Sequence, residues 1–169
     1  MRILGIDPGS RYTGWGVVDR RGSRLLAVSH GRIVLPRSQQ LAGRLARLAE
    51  EMRQLVRAHS PDAAVLEALY YGVNPRSLIV LAQARGALLA TVSEEGVEVH
   101  EQTASEIKSA VTGSGRADKQ QVARMVRLIL GLSEEIPDDT SDALAAAICF
   151  AQRLRLDRLG ADKKPSGTV

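Results

Sequence analysis

The sequence of 169 residues predicts an α/β fold, in which helices cover both faces of a five-stranded mixed sheet. Two patterns carry this prediction. Short apolar or alternating runs typical of strands come first, and apolar residues spaced by three and four, typical of helices, follow them. The predicted order is three strands, a helix, a strand, a helix, a strand and then helices. We therefore expect an antiparallel three-strand meander and two parallel strands joined through crossovers.

The first hairpin is predicted around the turn sequence Asp7-Pro8-Gly9. Taken alone, these three residues are an ordinary turn. Their position nevertheless places the Asp7 carboxylate at the end of a buried strand, beside glycines that let other backbones approach. A third strand, from Leu25 to Leu35, completes the meander before Pro36. Apolar residues flank the turn on both sides: Ile3, Leu4, Ile6, Trp15, Val17 and Val18.

The remaining elements follow from apolar spacing and capping residues. Ser38 is a candidate cap for the first helix, which ends before Ser60-Pro61. Its apolar face consists of Leu41, Leu45, Leu48, Met52 and Leu55. The later elements are predicted as a buried strand at 63–66, a helix from Asn74-Pro75, a strand at 97–100, a helix opened by the capping box Thr103–Glu106, a helix ended by Gly131, and a last helix over 137–151.

The chain is predicted to form one domain over residues 1–156, followed by a disordered basic tail over 157–169. No apolar run is long enough to span a membrane, and a strand begins too early to leave room for a signal peptide. Cys149 is the only cysteine, and we interpret it as a small core residue. These features predict a cytoplasmic protein without a disulfide. The three histidines are too scattered to indicate a zinc site.

The net charge of +4 indicates a polyanionic partner such as nucleic acid, although many basic proteins bind none. Four carboxylates contrast with this charge. Asp7 and Glu67 each end a predicted strand, and they lie side by side if those strands are neighbours. Asp139 and Asp142 share one face at the start of the last helix. Small residues on that face, Ala146 and Cys149, would let the helix pack closely on the sheet.

Clustered carboxylates repel each other unless a divalent cation neutralises them. Mg²⁺ prefers oxygen ligands, and a pair of such ions can activate water and stabilise a leaving phosphate oxygen. The pattern therefore indicates a metal-dependent nuclease. A simpler interpretation stays open for part of it, because Asp138, Asp139 and Asp142 lie where acids cap a helix and favour its dipole. Glu67 could likewise be an ordinary surface residue.

Several motifs together resemble the RuvC family of Holliday-junction resolvases. They are the opening Gly5-Ile-Asp7-Pro-Gly, Glu67 after its strand, Gln83-Ala-Arg-Gly86, Lys108, Lys119 and Asp139-Thr-Ser-Asp142-Ala-Leu-Ala. This resemblance, from about Arg2 to Leu154, implies a ribonuclease-H-like fold. It also implies a homodimer that makes paired symmetric nicks in four-way DNA with Mg²⁺ or Mn²⁺, during recombination and repair, alongside the RuvA–RuvB branch-migration complex.

The resemblance makes Asp7, Glu67, Asp139 and Asp142 the catalytic metal ligands, for two Mg²⁺ ions in each site, with Asp138 as a neighbour. It implies that Lys108 and Lys119 contact DNA, and that Tyr70 stacks where the family usually carries a phenylalanine. Arg76 is a further candidate phosphate contact, and Arg85 is predicted to be structural. The glycines of the first hairpin would then leave room for two strands and a DNA phosphate. The expected products are 5′-phosphate and 3′-hydroxyl ends.

Three alternatives remain at this point. The same opening motif occurs in sugar-kinase, actin and Hsp70-type ATPases, but those proteins need two such domains and a second glycine-rich hairpin. A ribonuclease of the same superfamily that acts on ribosomal RNA precursors is the second. The third is a basic junction-binding module without enzymatic activity.

Overall fold

The computed structural model describes residues 1–36, 38–68 and 75–161, without the side chains of 75, 76 and 155–161. Five strands form one sheet: β1 (Arg2–Asp7), β2 (Tyr12–Arg21), β3 (Arg24–Val34), β4 (Ala63–Glu67) and β5 (Glu98–Gln102). The described helices are α1 (Leu41–His59), α2 (Pro75–Glu94), α3 (Ala104–Thr112), α4 (Lys119–Leu130) and α5 (Asp138–Ala161).

The order of the strands in the sheet is β3-β2-β1-β4-β5. β1 pairs antiparallel with β2 and parallel with β4, and β5 joins β4 in parallel. The predicted meander and the two parallel crossover strands are therefore confirmed. The register matters for the site, because β1 and β4 pair up to Ile6 and Leu66, directly before Asp7 and Glu67.

Each face of the sheet carries its own hydrophobic core. Neighbouring residues of β1 point to opposite faces, so that Ile3 packs under α3, α4 and α5 while Leu4 packs under α1 and α2. The central strands are buried on both sides, which explains their continuous apolar sequence. Asp7 and Glu67 continue the alternation of Ile3 and Val65, and this places both carboxylates on the face that α5 covers.

Helix α5 lies against the centre of the sheet because β1 and β2 present glycines to it. A Cβ atom at Gly5 would overlap the carbonyl group of Ala143, and one at Gly14 would overlap the carbonyl group of Asp139. Ala143 and Ala147 meet Gly5, and the small residues Ala146 and Cys149 of the same helix are buried in the core on this face of the sheet. The helix backbone, rather than a DNA phosphate, occupies the room at Gly14.

The ends of two helices differ from the predictions. Ser38 does not cap α1, which begins after Gln40 without a side-chain cap, because Gln39 and Gln40 separate Ser38 from the first helical residue, Leu41. Helix α5 continues to Ala161, five residues into the tail predicted to be disordered from Asp157. The good helix formers Arg155, Leu156, Arg158 and Leu159 account for this extension. Residues 162–169 lie outside the described residues.

Two further predictions concern helix starts and the cysteine. Thr103 caps α3 through the predicted capping box with Glu106. Cys149 is a residue of α5 that is buried in the hydrophobic core, and burial raises the pKa of its thiol to about 11. Within the described ranges, each helix is too short or too polar to span a membrane.

Candidate active site

The candidate site lies where β1 and β4 end. Asp7 and Glu67 follow the last paired residues of these parallel strands, so the register sets the two carboxylates beside each other. On the other side of β1, Asp7 pairs with Gly14 of β2. Because Gly14 has no side chain, the first turn of α5 can reach this edge of the sheet directly.

The start of α5 brings two more carboxylates toward Asp7. Burial, followed by the charges of Asp142, Glu67 and Asp139 in that order, raises the pKa of Asp7 to about 7. Lys119 opposes the shift. Asp7 is therefore the member of the cluster whose ionisation costs the most free energy in the folded chain. The fold thus brings together all four carboxylates predicted from the sequence.

Glu67 is held by an arginine that the sequence predicted to be structural. The buried Arg85 donates from Nη1 to the carbonyl oxygen of Glu67 at 2.6 Å, and its Nη2 lies 2.7 Å from Oε1 of Glu101. This confirms that Arg85 pairs with an acid. Burial, followed by the charge of Asp142, raises the pKa of the Glu67 carboxyl, whereas Lys119, Lys108 and Arg85 lower it.

Two lysines border the same cleft, whose volume is about 390 Å³. The Nζ atom of Lys119 lies 3.3 Å from Oδ2 of Asp142, and this acid is the main cause of the raised pKa of Lys119. Lys119 is the first residue of α4, whose start is fixed by a capping box between Asp118 and Gln121 that sequence reasoning missed. Lys108, from α3, lines the cleft with Asp7, Glu67 and Asp142.

The two aspartates in the first turn of α5 have different surroundings. Oδ1 of Asp139 accepts a hydrogen bond from the backbone N–H of Thr140, as the capping interpretation expects, and its Oδ2 lies 3.7 Å from Arg32. Asp139 also acts on the pKa of Asp7, whereas Asp138 acts on Asp142 and Lys119. The charge of Asp139, rather than that of Asp138, therefore acts on Asp7.

These carboxylates have the donor chemistry of a Mg²⁺ site, since all are oxygen ligands and their mutual repulsion is partly unneutralised. Among the residues that the structure describes, no three acidic, histidine or cysteine side chains are close enough to hold an ion together. The present side-chain contacts explain this spacing. Asp142 faces Lys119, and Asp139 faces Thr140 and Arg32. The residue types fit a metal, and binding would require these side chains to turn.

Two of the predicted DNA contacts lie wholly or partly outside the described residues. Tyr70 lies outside the described residues. Arg76 lies in the first turn of α2, and its side chain is not described. Sequence reasoning also missed Arg32 and Gln102, which lie in register with the acidic cluster on β3 and β5. Only the pairing of the strands reveals that they share its edge of the sheet.

The sheet order, the helix-covered faces and the acidic cluster define a protein of ribonuclease-H-like fold with a nuclease-type site. The sequence model of the family "Crossover junction endodeoxyribonuclease RuvC" matches residues 3–150. The chain therefore belongs to the RuvC family.

Individual relatives agree with this assignment. The crossover junction endodeoxyribonuclease RuvC of Bordetella parapertussis is 47% identical over 164 residues, covering 95% of this chain and 90% of the relative. The protein of the same name from Rubrobacter xylanophilus is 45% identical, covering 96% and 92%. The structure of T. thermophilus RuvC in complex with Holliday junction substrate matches with a TM-score of 0.88 at 30% identity, covering 93% of this chain and 96% of that one.

A more distant structure shares the fold alone. The yeast mitochondrial Holliday junction resolvase Ydc2 matches with a TM-score of 0.64 at 14% identity, covering 95% of this chain and 85% of that one. The family match decides against the two-domain ATPases and against the ribonuclease of ribosomal RNA precursors.

Proposed function

We propose that this chain is a metal-dependent endonuclease that resolves Holliday junctions by paired, symmetric nicks in four-way DNA. The observation that carries the proposal is the convergence of Asp7, Glu67 and Asp142 in one cleft, with Asp139 beside it, in a chain of the RuvC family. Two RuvC relatives carry the name of crossover junction endodeoxyribonuclease, and a third was solved with a Holliday junction.

Asp7, Glu67, Asp139 and Asp142 would hold two Mg²⁺ ions, or Mn²⁺ in their place. Bound metal would supply activation of the attacking water and stabilisation of the leaving oxygen. The proposed central role of Asp7 is supported by the charges of three other carboxylates, which together with burial raise its pKa. A cation at this position relieves the repulsion that the folded chain otherwise contains. The expected products are ends with a 5′-phosphate and a 3′-hydroxyl.

The lysines of the cleft would hold the phosphate that is cut. Lys119 now lies against Asp142, and its side chain is largely exposed, so it is free to turn toward an arriving phosphate. Lys108 lines the same cleft from a different helix. Cations in these positions offset the repulsion between the acidic cluster and the DNA backbone, and stabilise charge that develops during the displacement.

Paired nicks require two sites, and we propose that a homodimer supplies them. A dimer with two-fold symmetry matches the near two-fold symmetry of a four-way junction. Helix α2 is a candidate for the interface because Ile79 is 60% exposed on it. The RuvA–RuvB complex, which the family resemblance implies, is the proposed cellular partner. Tyr70 and Arg76 remain candidate DNA contacts.

The test is a cleavage assay on a synthetic four-way junction, with a linear duplex of the same sequence as the control substrate. With Mg²⁺ we expect symmetric nicks in the junction that DNA ligase can reseal, and no comparable cleavage of the duplex. Chelation of the metal should stop cleavage while binding persists. A chain that binds the junction but leaves it intact with either Mg²⁺ or Mn²⁺ would be a binding module, and the proposed activity would be wrong.

A further inference from the structure

One row of residues crosses the sheet at the edge that holds the carboxylates. Asp7 of β1 pairs with Gly14 of β2, and Gly14 pairs with Arg32 of β3. Directly paired residues point to the same face of a sheet, so Arg32 shares the face of Asp7. Its Nη1 atom lies 3.7 Å from Oδ2 of Asp139. A guanidinium therefore borders the acidic cluster on the side away from Lys119.

Arg32 belongs to a small group of side chains that we call the arginine–tyrosine cluster, formed by Arg11, Tyr12 and Arg32. The guanidinium carbon of Arg11 lies 4.9 Å from the centre of the Tyr12 ring, and that of Arg32 lies 4.8 Å from it. Such contacts hold a cation over an aromatic ring and leave its edge N–H groups free. Both arginines are exposed, and Tyr12 is half-buried.

The N–H groups of this cluster are available to a ligand. Within the described residues, neither guanidinium donates a hydrogen bond to another side chain, and Asp139 is the one acid within 4.0 Å of either. Two fixed guanidinium groups on one exposed edge suit a phosphate, because the planar fork of arginine matches paired phosphate oxygens. An isolated structural ion pair would need neither the second arginine nor the aromatic ring.

The position of the cluster relates it to the cleavage site. Lys119 approaches the carboxylates from α4, and Arg32 approaches them from β3, so cations flank the acidic cluster on two sides. A DNA strand whose phosphate reaches the carboxylates must continue past one of these sides. The acidic cluster repels the neighbouring phosphates unless cations compensate for it.

We infer that the arginine–tyrosine cluster binds the phosphate backbone of the cleaved DNA strand next to the phosphate that is cut. The inference rests on the proposed function, since it takes a DNA strand to lie at the carboxylates. Arg11 and Arg32 contact phosphate oxygens, and Tyr12 orients both side chains. The ligand is a phosphodiester, and the contact is independent of the base sequence.

The test measures how the affinity for a synthetic four-way junction depends on KCl concentration, with EDTA present and the full chain. Replacing both Arg11 and Arg32 by glutamine should reduce the slope of log K against log[salt] by about 2, because each phosphate contact contributes about 0.9. Arg57→Gln is the matched control. Arg57 lies in the last turn of α1, near the other end of the sheet, and its exposed side chain pairs with Glu95. Replacing Arg57 should leave the slope unchanged.

Two further variants separate phosphate binding from a structural role. Arg32→Lys keeps the charge and should keep the wild-type slope, whereas Tyr12→Leu removes the ring and should weaken junction binding. A double glutamine variant that retains the wild-type slope overturns the inference, and it leaves the proposed function intact if the wild type still cuts the junction. A wild-type chain that fails to bind the junction would overturn both.

Discussion

Each end of the β1–β2 pair carries an aspartate, and the surroundings shift the pKa values of the two carboxyl groups in opposite directions. At one end Arg2 pairs with Asp19, and the Arg2 Nε atom lies 2.8 Å from Oδ1 of that acid. The hydrogen bond from Arg2 is the main reason that the pKa of Asp19 is lowered. At the other end Asp7 pairs with Gly14, and burial together with neighbouring carboxylates raises the pKa of Asp7 to about 7.

The difference separates a structural carboxylate from one placed for chemistry. The charge of Asp19 is stabilised by a partner within the same two strands, so that end of the hairpin needs nothing further. The charge of Asp7 is opposed by its surroundings, and a buried acid whose pKa is strongly raised marks a candidate functional site. A positively charged ligand would stabilise the ionised carboxylate of Asp7, as Arg2 stabilises that of Asp19.

The largest expected effect comes from Asp7→Asn in the metal-free protein. The pKa of Asp7 is 3.8 in the unfolded chain and about 7 in the folded chain. Between these pH values the folded chain therefore binds the proton of Asp7 more tightly than the unfolded chain does. Stability from this group is present below pH 3.8 and is lost as the pH rises to about 7. The variant should therefore be more stable than the wild type above pH 7, by at most about 4 kcal/mol.

Chemical denaturation with EDTA at pH 5 and pH 8 measures this difference. The gain in the free energy of unfolding should be larger at pH 8 than at pH 5. An equal gain at both values would show that the Asp7 charge is not the cause. The same variant should lose junction cleavage but retain binding, because it removes a negative charge near the DNA.

The second effect concerns the glycine that faces α5. Gly14→Ala places a methyl group where the carbonyl group of Asp139 lies, so the start of α5 must move. We expect a loss of about 1–3 kcal/mol in the free energy of unfolding. Cleavage should also decrease, since Asp139 and Asp142 move with the helix.

Gly43→Ala is the matched control for Gly14→Ala. Gly43 lies on an exposed part of α1, and a Cβ atom there meets nothing within 4 Å. This substitution should stabilise the chain by up to about 1 kcal/mol through helix propensity. If Gly14→Ala behaved like Gly43→Ala in denaturation, the close contact between α5 and β2 would be wrong.

The smallest effect is expected from Asp19→Asn at the other end of the hairpin. The lowered pKa means that Asp19 contributes stability above its ordinary value of 3.8, and that this contribution disappears as the pH falls through the folded pKa. Because the pair is partly exposed, we expect the melting temperature at pH 7 to fall by only about 2 °C. Junction cleavage should be unchanged. A stabilising effect, like that of Asp7→Asn, would remove the contrast between the two ends.

Much of the fold could be predicted because local chemistry specifies it. The apolar run before Asp7 and the capping box at Thr103 are complete within a few residues, and the structure agrees with both. Asp7 and Glu67 were each visible as acids that end a strand. Their adjacency followed once β1 and β4 were taken as neighbours, which the structure confirms.

The parts that could not be predicted depend on contacts between distant segments. Which face of α5 meets the sheet is decided by Gly5 and Gly14, more than 100 residues earlier in the chain. The place of Arg32 beside Asp139 depends on the register of β3, and a bulge between Val17 and Val18 shifts that register. Neither the composition nor the spacing of apolar residues predicts such a shift in register.

The most direct measurement compares the effect of Mg²⁺ on the melting temperatures of the wild type, Asp7→Asn and Asp19→Asn at pH 8. An ion that binds only the folded chain stabilises it by an amount that grows with the logarithm of its affinity, and this is about 1.4 kcal/mol at ten times the dissociation constant. If the carboxylate cluster is the metal site, Mg²⁺ raises the melting temperature of the wild type and of Asp19→Asn by several degrees and leaves Asp7→Asn unchanged. An equal rise in all three proteins would contradict a metal site at Asp7.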